Sequence, residues 1–170
     1  FDFVAPVNVM FEVRAARAGA VYLWDDHWEN GHYNPGNSSE ANFILIKDTS
    51  TTPTSYQLYL HLAQNSIPAA LKQTGAPVVQ GQVVGLADDT GMSTANHLHF
   101  QVHTEASLWG NSVDIQFRDV PINGGRPRVA ADLPYCTWPG DVCTQTQTTY
   151  TALCTGDGHP PTGGITAPSD

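Results

Sequence analysis

The sequence has few positive charges, no long apolar run and few cysteines. Its 170 residues include 7 Lys and Arg against 16 Asp and Glu, which gives a formal net charge of −9. This acidic balance argues against non-specific binding to nucleic acid or to an anionic membrane surface. No apolar stretch approaches the roughly 18 residues of a membrane-spanning helix, and no secretory signal opens the chain. We therefore expect no nucleic-acid partner and no membrane span, whereas the oligomeric state stays open.

The 3 cysteines, Cys136, Cys143 and Cys154, are confined to the C-terminal part of the sequence. The residues around them are rich in Thr, Gly and Pro. Cysteines clustered in such a segment indicate disulfide partners in an oxidising, extracytoplasmic compartment rather than buried thiols. The odd count leaves one of them unpaired or paired elsewhere. Residues 121–170 are therefore predicted to form a disulfide-tied flap and a Pro/Gly/Thr-rich tail or linker.

Residues 1–120 have the composition and patterning of one mainly β domain with many turns. The chain contains 15 Gly and 12 Pro and is rich in β-branched residues. Alternating or apolar segments predict strands at residues 20–24, 42–47, 56–62, 97–103 and 112–117. Glycines between the strands predict tight turns with positive φ, at Gly75, Gly81, Gly85 and Gly91.

The segment 97–103 alternates strictly between polar and apolar residues, and its polar positions are mostly histidine. In an extended strand, His97, His99 and His103 share one face, and neighbouring histidines of that face lie roughly 6.5–7 Å apart at their α-carbons. Neutral imidazole is the commonest metal ligand and a ready acid or base near neutral pH. A polar strand face wetted by solvent is the simpler alternative.

A second strand, 56–62, places Tyr59 and His61 on its polar face, so His61 is a candidate third member of the histidine cluster. The polar, turn-rich segment 25–41 is a loop of the length that tends to be functional. It contains His27 and His32. These two histidines are expected to be solvated, with a cleft-lining role as the alternative.

Several pieces of this sequence, in this order and at this spacing, resemble the lysostaphin-type (LytM-like) zinc metallopeptidases, which include secreted elastin-cleaving members. The pieces are Asp2-Phe3-x-x-Pro6, Val13-x-Ala15-Ala16-Arg17-Ala18-Gly19-x-Val21, Tyr59-x-His61-Leu62, the Gly-rich stretch Gly75 to Gly91, and His97-Leu98-His99-Phe100-Gln101-Val102. The resemblance extends over about residues 1–118. No single piece is specific for this family, but the order and spacing of all the pieces together are specific for it.

This resemblance implies antiparallel β-sheets with a substrate groove and a catalytic zinc ion. Asp2 and His99 match the family's aspartate and histidine metal ligands. His61 and His97 match the two catalytic histidines that are not ligands. By the family's chemistry, zinc-bound water attacks a peptide carbonyl, while one histidine takes a proton and the other stabilises the oxyanion or protonates the leaving amine.

The family's first ligand is a histidine a few residues before the aspartate, and only Phe1 precedes Asp2 here. Three explanations stay open. The sequence begins inside a longer protein, as its abrupt start suggests; His27 or His32 substitutes; or the domain is a non-catalytic relative.

Two functions follow from the resemblance. The first is a secreted or extracytoplasmic zinc endopeptidase that cleaves Gly-rich or cross-link peptide bonds in bacterial peptidoglycan or in secreted proteins. The second is a catalytically inactive scaffold or cell-wall peptide-binding domain of the same fold. The presence of His61, His97 and His99 together favours the enzyme.

Overall fold

The computed structural model describes residues 1–5, 9–118 and 125, and the backbones of two further short strands. The chain divides into two compact units, one of Phe1 with Asn8–Val113 and one of Asp2–Val7 with Asp114–Asp170. The three cysteines lie outside the described residues, so the disulfide-tied flap and the boundary at residue 120 remain predictions.

The first unit is built on a long antiparallel sheet. Its strands are β3 (Gly19–Asp25), β4 (Phe43–Asp48), β5 (Ser55–Leu60), β6 (Pro77–Val78) and β8 (Leu98–His103). Within this unit the strand order is β8-β5-β4-β3-β6. Every adjacent pair is antiparallel. The predicted mainly β, antiparallel fold class is confirmed.

A second, two-stranded sheet in the same unit pairs β2 (Phe11–Arg14) with β7 (Val83–Ala87). A single 3₁₀ turn, Ala69–Leu71, precedes β6. In the part of the chain that is described, no helix is long and apolar enough to span a membrane. The second unit contains the short strand β1 (Asp2–Phe3) and the antiparallel pair β9 (Thr149–Tyr150) and β10 (Ile165–Thr166).

Strands β4 and β5 form the core of the main sheet because nearly all of their residues are buried, on both faces of the sheet. One face contributes a cluster of buried side chains comprising Ala41, Phe43, Leu45, Tyr56, Leu58 and Leu60. On the other face Ile44 and Ile46 are fully enclosed. Enclosing one such aliphatic side chain stabilises the fold by about 1.5–3 kcal/mol. These strands therefore form the packed core of the sheet, and His61 directly follows one of them, β5.

The polar residues of β5 are buried, although the sequence pattern places Tyr59 on the polar face of this strand. Tyr59 is only 1% exposed. Its hydroxyl donates to Gln57 Oε1 at 2.8 Å and accepts the backbone N–H of Ala16, just beyond β2, at 2.7 Å. The polar positions of β5 thus connect the main sheet to the chain beyond β2, with their hydrogen bonds satisfied inside the protein.

Two further expectations were wrong in detail. Residues 112–117 form no strand among the described residues: Ser112 makes an isolated bridge to His103, and the N–H of Val113 donates to Val102 O. Side-chain burial still alternates along this segment as the pattern predicted. Gly85 has no positive φ, unlike Gly75, Gly81 and Gly91. It lies within β7, where an added β-carbon would come 3.0 Å from Leu62 Cδ1.

Candidate active site

Three of the four predicted site residues lie together in the first unit. His61 directly follows β5, His97 directly precedes β8 and His99 lies within β8. The strands are adjacent, with Leu60 paired to His99. The imidazole centroids of His61 and His97 are 4.5 Å apart, and those of His61 and His99 are 6.2 Å apart. The register of β5 with β8 therefore produces the histidine cluster that the sequence pattern predicted.

His61 has an unusual backbone conformation, with φ at 63°. This left-handed region is unfavourable for residues with a β-carbon. It ends β5 at Leu60 rather than at the predicted residue 62, because a residue in this conformation cannot continue a strand. The chain turns at His61, and the next residue, Leu62, bridges to Ala87 at the end of β7. The buried imidazole is thus placed where the strand ends and the chain changes direction.

The ring of His61 is oriented by a backbone carbonyl that is distant in sequence. Its Nδ1 lies 2.6 Å from the carbonyl oxygen of Thr90. A carbonyl oxygen can only accept a hydrogen bond, so Nδ1 carries the proton and donates. In the neutral ring, Nε2 is then the basic nitrogen.

His97 is held in the same way within its own segment. Its Nδ1 lies 2.9 Å from the carbonyl oxygen of Ala95 and 3.1 Å from the hydroxyl of Ser93. The Ser93 hydroxyl itself donates to Ala95 O at 2.8 Å, which leaves its oxygen able to accept from the imidazole. His97 Nδ1 is therefore also protonated, and Nε2 is again the basic nitrogen. The two adjacent imidazoles therefore have the same tautomer.

The segment Asp88–Ser93, which we call the connecting segment, contacts both histidines, and the sequence reasoning missed its role. The N–H of Asp88 donates to His61 O at 2.7 Å, and the N–H of His97 donates to Asp88 O at 3.1 Å. The sequence signal there was a turn ending at Gly91. The turn is present, with Gly91 at φ 88°. The contacts that the other residues of the connecting segment make with His61 and His97 are with residues outside the segment, so no local sequence pattern predicts them.

Asp88 is buried, with 2% of its surface exposed, and its Oδ2 has no hydrogen-bond partner among the described residues. Burial, reinforced by the negative charge of Asp89, raises the pKa of Asp88 to about 6. A carboxyl group removed from water resists ionisation in this way. The carboxyl group of Asp88, a residue whose backbone binds both His61 and His97, thus becomes fully charged only near neutral pH.

The loop histidines have other partners. His27 Nδ1 contacts Asp25, and His32 Nε2 lies 3.2 Å from Glu40 Oε2. Both rings pack on Trp28, with centroids 4.4 Å and 4.6 Å away. Within the described residues, no three or more His, Cys, Asp or Glu side chains are grouped so that they could hold a metal ion. That either loop histidine replaces the family's first metal ligand stays a prediction.

Asp2 lies half-buried in β1 of the second unit. Its role as a metal ligand stays a prediction, as does that of His99. His103, expected to share the polar face of its strand with His97 and His99, is completely buried. Its ring stacks on Tyr56 with centroids 5.9 Å apart, and its Nδ1 lies 3.9 Å from Glu105 Oε2. His103 thus belongs to the packed interior and not to the histidine cluster.

These features define an antiparallel β domain with a cluster of imidazoles at the ends of two adjacent strands. The sequence matches the model of peptidase family M23 over residues 1–114. The chain therefore belongs to peptidase family M23, which is a family of peptidases.

Solved structures of other proteins resemble it, among them two catalytic domains. The catalytic domain of the antimicrobial peptidase lysostaphin from Staphylococcus simulans is 27% identical, with 60% of this chain and 63% of that chain covered and a TM-score of 0.42. A variant of the catalytic domain of the prophage-encoded M23 protein EnpA from Enterococcus faecalis is 23% identical, with 66% and 72% covered and a TM-score of 0.43. This chain thus spans less than two thirds of the lysostaphin domain. No curated protein matches the sequence.

Proposed function

We propose that this chain is the catalytic domain of an endopeptidase that cleaves Gly-rich or cross-link peptide bonds in bacterial peptidoglycan or in secreted proteins. The observation that carries the proposal is the pair His61 and His97, with ring centroids 4.5 Å apart and with Nδ1 of each engaged by a carbonyl. Membership of peptidase family M23 supports the peptide-bond chemistry. The proposed location is outside the cytoplasm, where cell-wall peptides and secreted proteins are found.

The roles proposed for the two histidines follow from their tautomers. A neutral imidazole with a basic Nε2 can take a proton from an attacking water molecule. The protonated form of the second ring can donate a hydrogen bond to the oxyanion or a proton to the leaving amine. Two such rings in contact can divide these tasks, and either assignment is compatible with their geometry.

Zinc dependence is a proposal that rests on the motif resemblance. A catalytic zinc ion has three protein ligands and one open position. The described residues contain no group of three such ligands. They therefore do not by themselves fit a complete zinc site. Asp2 and His99 are the proposed ligands from this chain.

The test combines zinc content with cleavage of Gly-rich peptides. We expect His99→Ala to abolish both zinc binding and cleavage, and His61→Ala and His97→Ala to abolish cleavage while zinc is retained. His27→Ala and His32→Ala are matched controls, since their partners are Asp25, Glu40 and Trp28. Full activity in His99→Ala would refute the zinc proposal, and loss of zinc in a control would identify a loop ligand.

The alternative function is a catalytically inactive scaffold or cell-wall peptide-binding domain. Asp2 and His99 are only two of the three ligands that a catalytic zinc ion needs, which is the reason to test this alternative. It predicts that the protein binds Gly-rich peptides without cleaving them, even in excess zinc. Stoichiometric zinc with turnover would exclude it.

A further inference from the structure

We propose that Thr90 and Ser93 are positioning residues that hold His61 and His97 in one tautomer, with the proton on Nδ1, and so make Nε2 the reactive nitrogen of both rings. The inference deepens the proposed function and rests on it for its catalytic meaning. The tautomers themselves can be measured without any activity.

Thr90 acts on His61 through its own carbonyl, which is held in place by its side chain. The residue is completely buried. Its hydroxyl donates to Leu62 O at 2.9 Å and accepts the N–H of Asn42 at 3.1 Å. Leu62 is the residue after His61, so the hydroxyl ties the position of the carbonyl to the backbone beside the ring. This places the carbonyl oxygen 2.6 Å from His61 Nδ1.

Ser93 acts on His97 through its hydroxyl oxygen. Ser93 is buried, and its backbone N–H donates to Gly91 O at 2.9 Å. Because its O–H donates to Ala95 O, both Ser93 Oγ and Ala95 O face His97 Nδ1 as acceptors. A proton on Nδ1 satisfies both oxygens, whereas an Nδ1 lone pair would face two other lone pairs.

One short segment therefore orients both rings. Thr90 and Ser93 lie in the connecting segment, whose first residue, Asp88, also accepts the N–H of His97 and donates to His61 O. The hydroxyl groups are not needed to complete a strand, since neither residue belongs to one. Their shared effect is the orientation of two imidazoles, of which one follows β5 and the other precedes β8.

The experiment measures which ring nitrogen carries the proton, by ¹⁵N NMR of histidine-labelled protein, together with kcat and KM for a Gly-rich peptide. We expect the proton on Nδ1 of His61 and His97 in the wild type. Thr90→Val, which keeps the side-chain shape but lacks the hydroxyl, should give mixed tautomers at His61 and lower kcat at least tenfold at similar KM. Thr90→Ser should restore both. Ser93→Ala should have the corresponding effect on His97.

The matched control is Thr74→Val, because the Thr74 hydroxyl also donates to a backbone carbonyl, Tyr22 O at 3.3 Å, but in an exposed contact. It should change neither tautomers nor kcat. The proposal is overturned if the wild type carries the proton on Nε2 of either ring. It is also overturned if folded Thr90→Val keeps a pure Nδ1–H tautomer and wild-type kcat.

If Thr90→Val does not fold, the wild-type spectrum and Ser93→Ala decide the matter. A wild type with no peptidase activity would contradict the proposed function, while the NMR result would still decide this inference.

Discussion

The left-handed backbone at His61 predicts an unusual order of stability for two variants. His61→Ala and His61→Gly remove the same imidazole and the same hydrogen bond to Thr90 O. They differ only in the β-carbon, which at a φ of 63° is sterically unfavourable. At an ordinary position Gly is less stable than Ala by about 0.5–1 kcal/mol, because it loses more conformational freedom on folding. At a left-handed position the β-carbon costs about 1–2 kcal/mol, so the order reverses.

The difference between these two effects leaves His61→Gly more stable than His61→Ala by about 0.5–1 kcal/mol. Urea unfolding followed by tryptophan fluorescence, in the presence of a chelator, measures this difference. With a denaturant slope of about 1–3 kcal/mol/M, the midpoint of His61→Gly should lie a few tenths of a molar higher. Both variants are expected to lack peptidase activity, so any difference in stability is separate from catalysis.

The matched control is the same pair of substitutions at His97. Among the described residues only His61 and Asn65 are non-glycine positions with positive φ. His97→Ala should therefore be more stable than His97→Gly, in the ordinary order. If Ala is as stable as Gly or more so at position 61, the left-handed conformation does not carry the strain that we assign to it.

Three further variants test the surroundings of the site. The raised pKa of Asp88, about 6 against about 3.9 for an unperturbed aspartate, means that the native state binds the extra proton between pH 4 and 6. Wild-type stability should therefore fall by about 2 kcal/mol as pH rises through that window; Asp88→Asn should not show this fall in urea unfolding. Tyr59→Phe should lower the free energy of unfolding by about 0.5–1.5 kcal/mol for each hydrogen bond lost, because it removes the acceptor of the Ala16 N–H and one donor to Gln57 Oε1; an unchanged urea midpoint would contradict this. Gly91→Ala should destabilise the fold and reduce turnover, because its β-carbon would lie 2.5 Å from Ala41 Cβ. At Gly36 the nearest atom is 3.4 Å away, so Gly36→Ala should leave the melting temperature and turnover nearly unchanged.

The position of the histidine cluster was predictable because it depends on strand periodicity and strand pairing. The alternation in residues 97–103 predicted the strand that became β8, and the segment around His61 predicted β5. Adjacent strands bring the residues at their ends together, so His61, His97 and His99 meet. The loop containing His27 and His32 was also correctly expected between two strands.

The burial of polar residues was not predictable from the same pattern. A period of two separates the faces of a strand, but it does not say which face another part of the protein covers. Tyr59 is buried because its hydroxyl binds the chain beyond β2, and His103 because Tyr56 covers its ring. Both residues have polar side chains of the kind found on exposed strand faces, but both lie in the interior of the protein.

By itself the sequence determined the β class, the strands that carry the histidines and the motifs shared with peptidase family M23, because these depend on local spacing. Only the tertiary structure decided how the imidazoles are oriented. The carbonyl of Thr90 reaches His61 across 29 positions of sequence. A left-handed residue that is not glycine carries no local signal, because its strain is compensated by contacts made elsewhere in the fold.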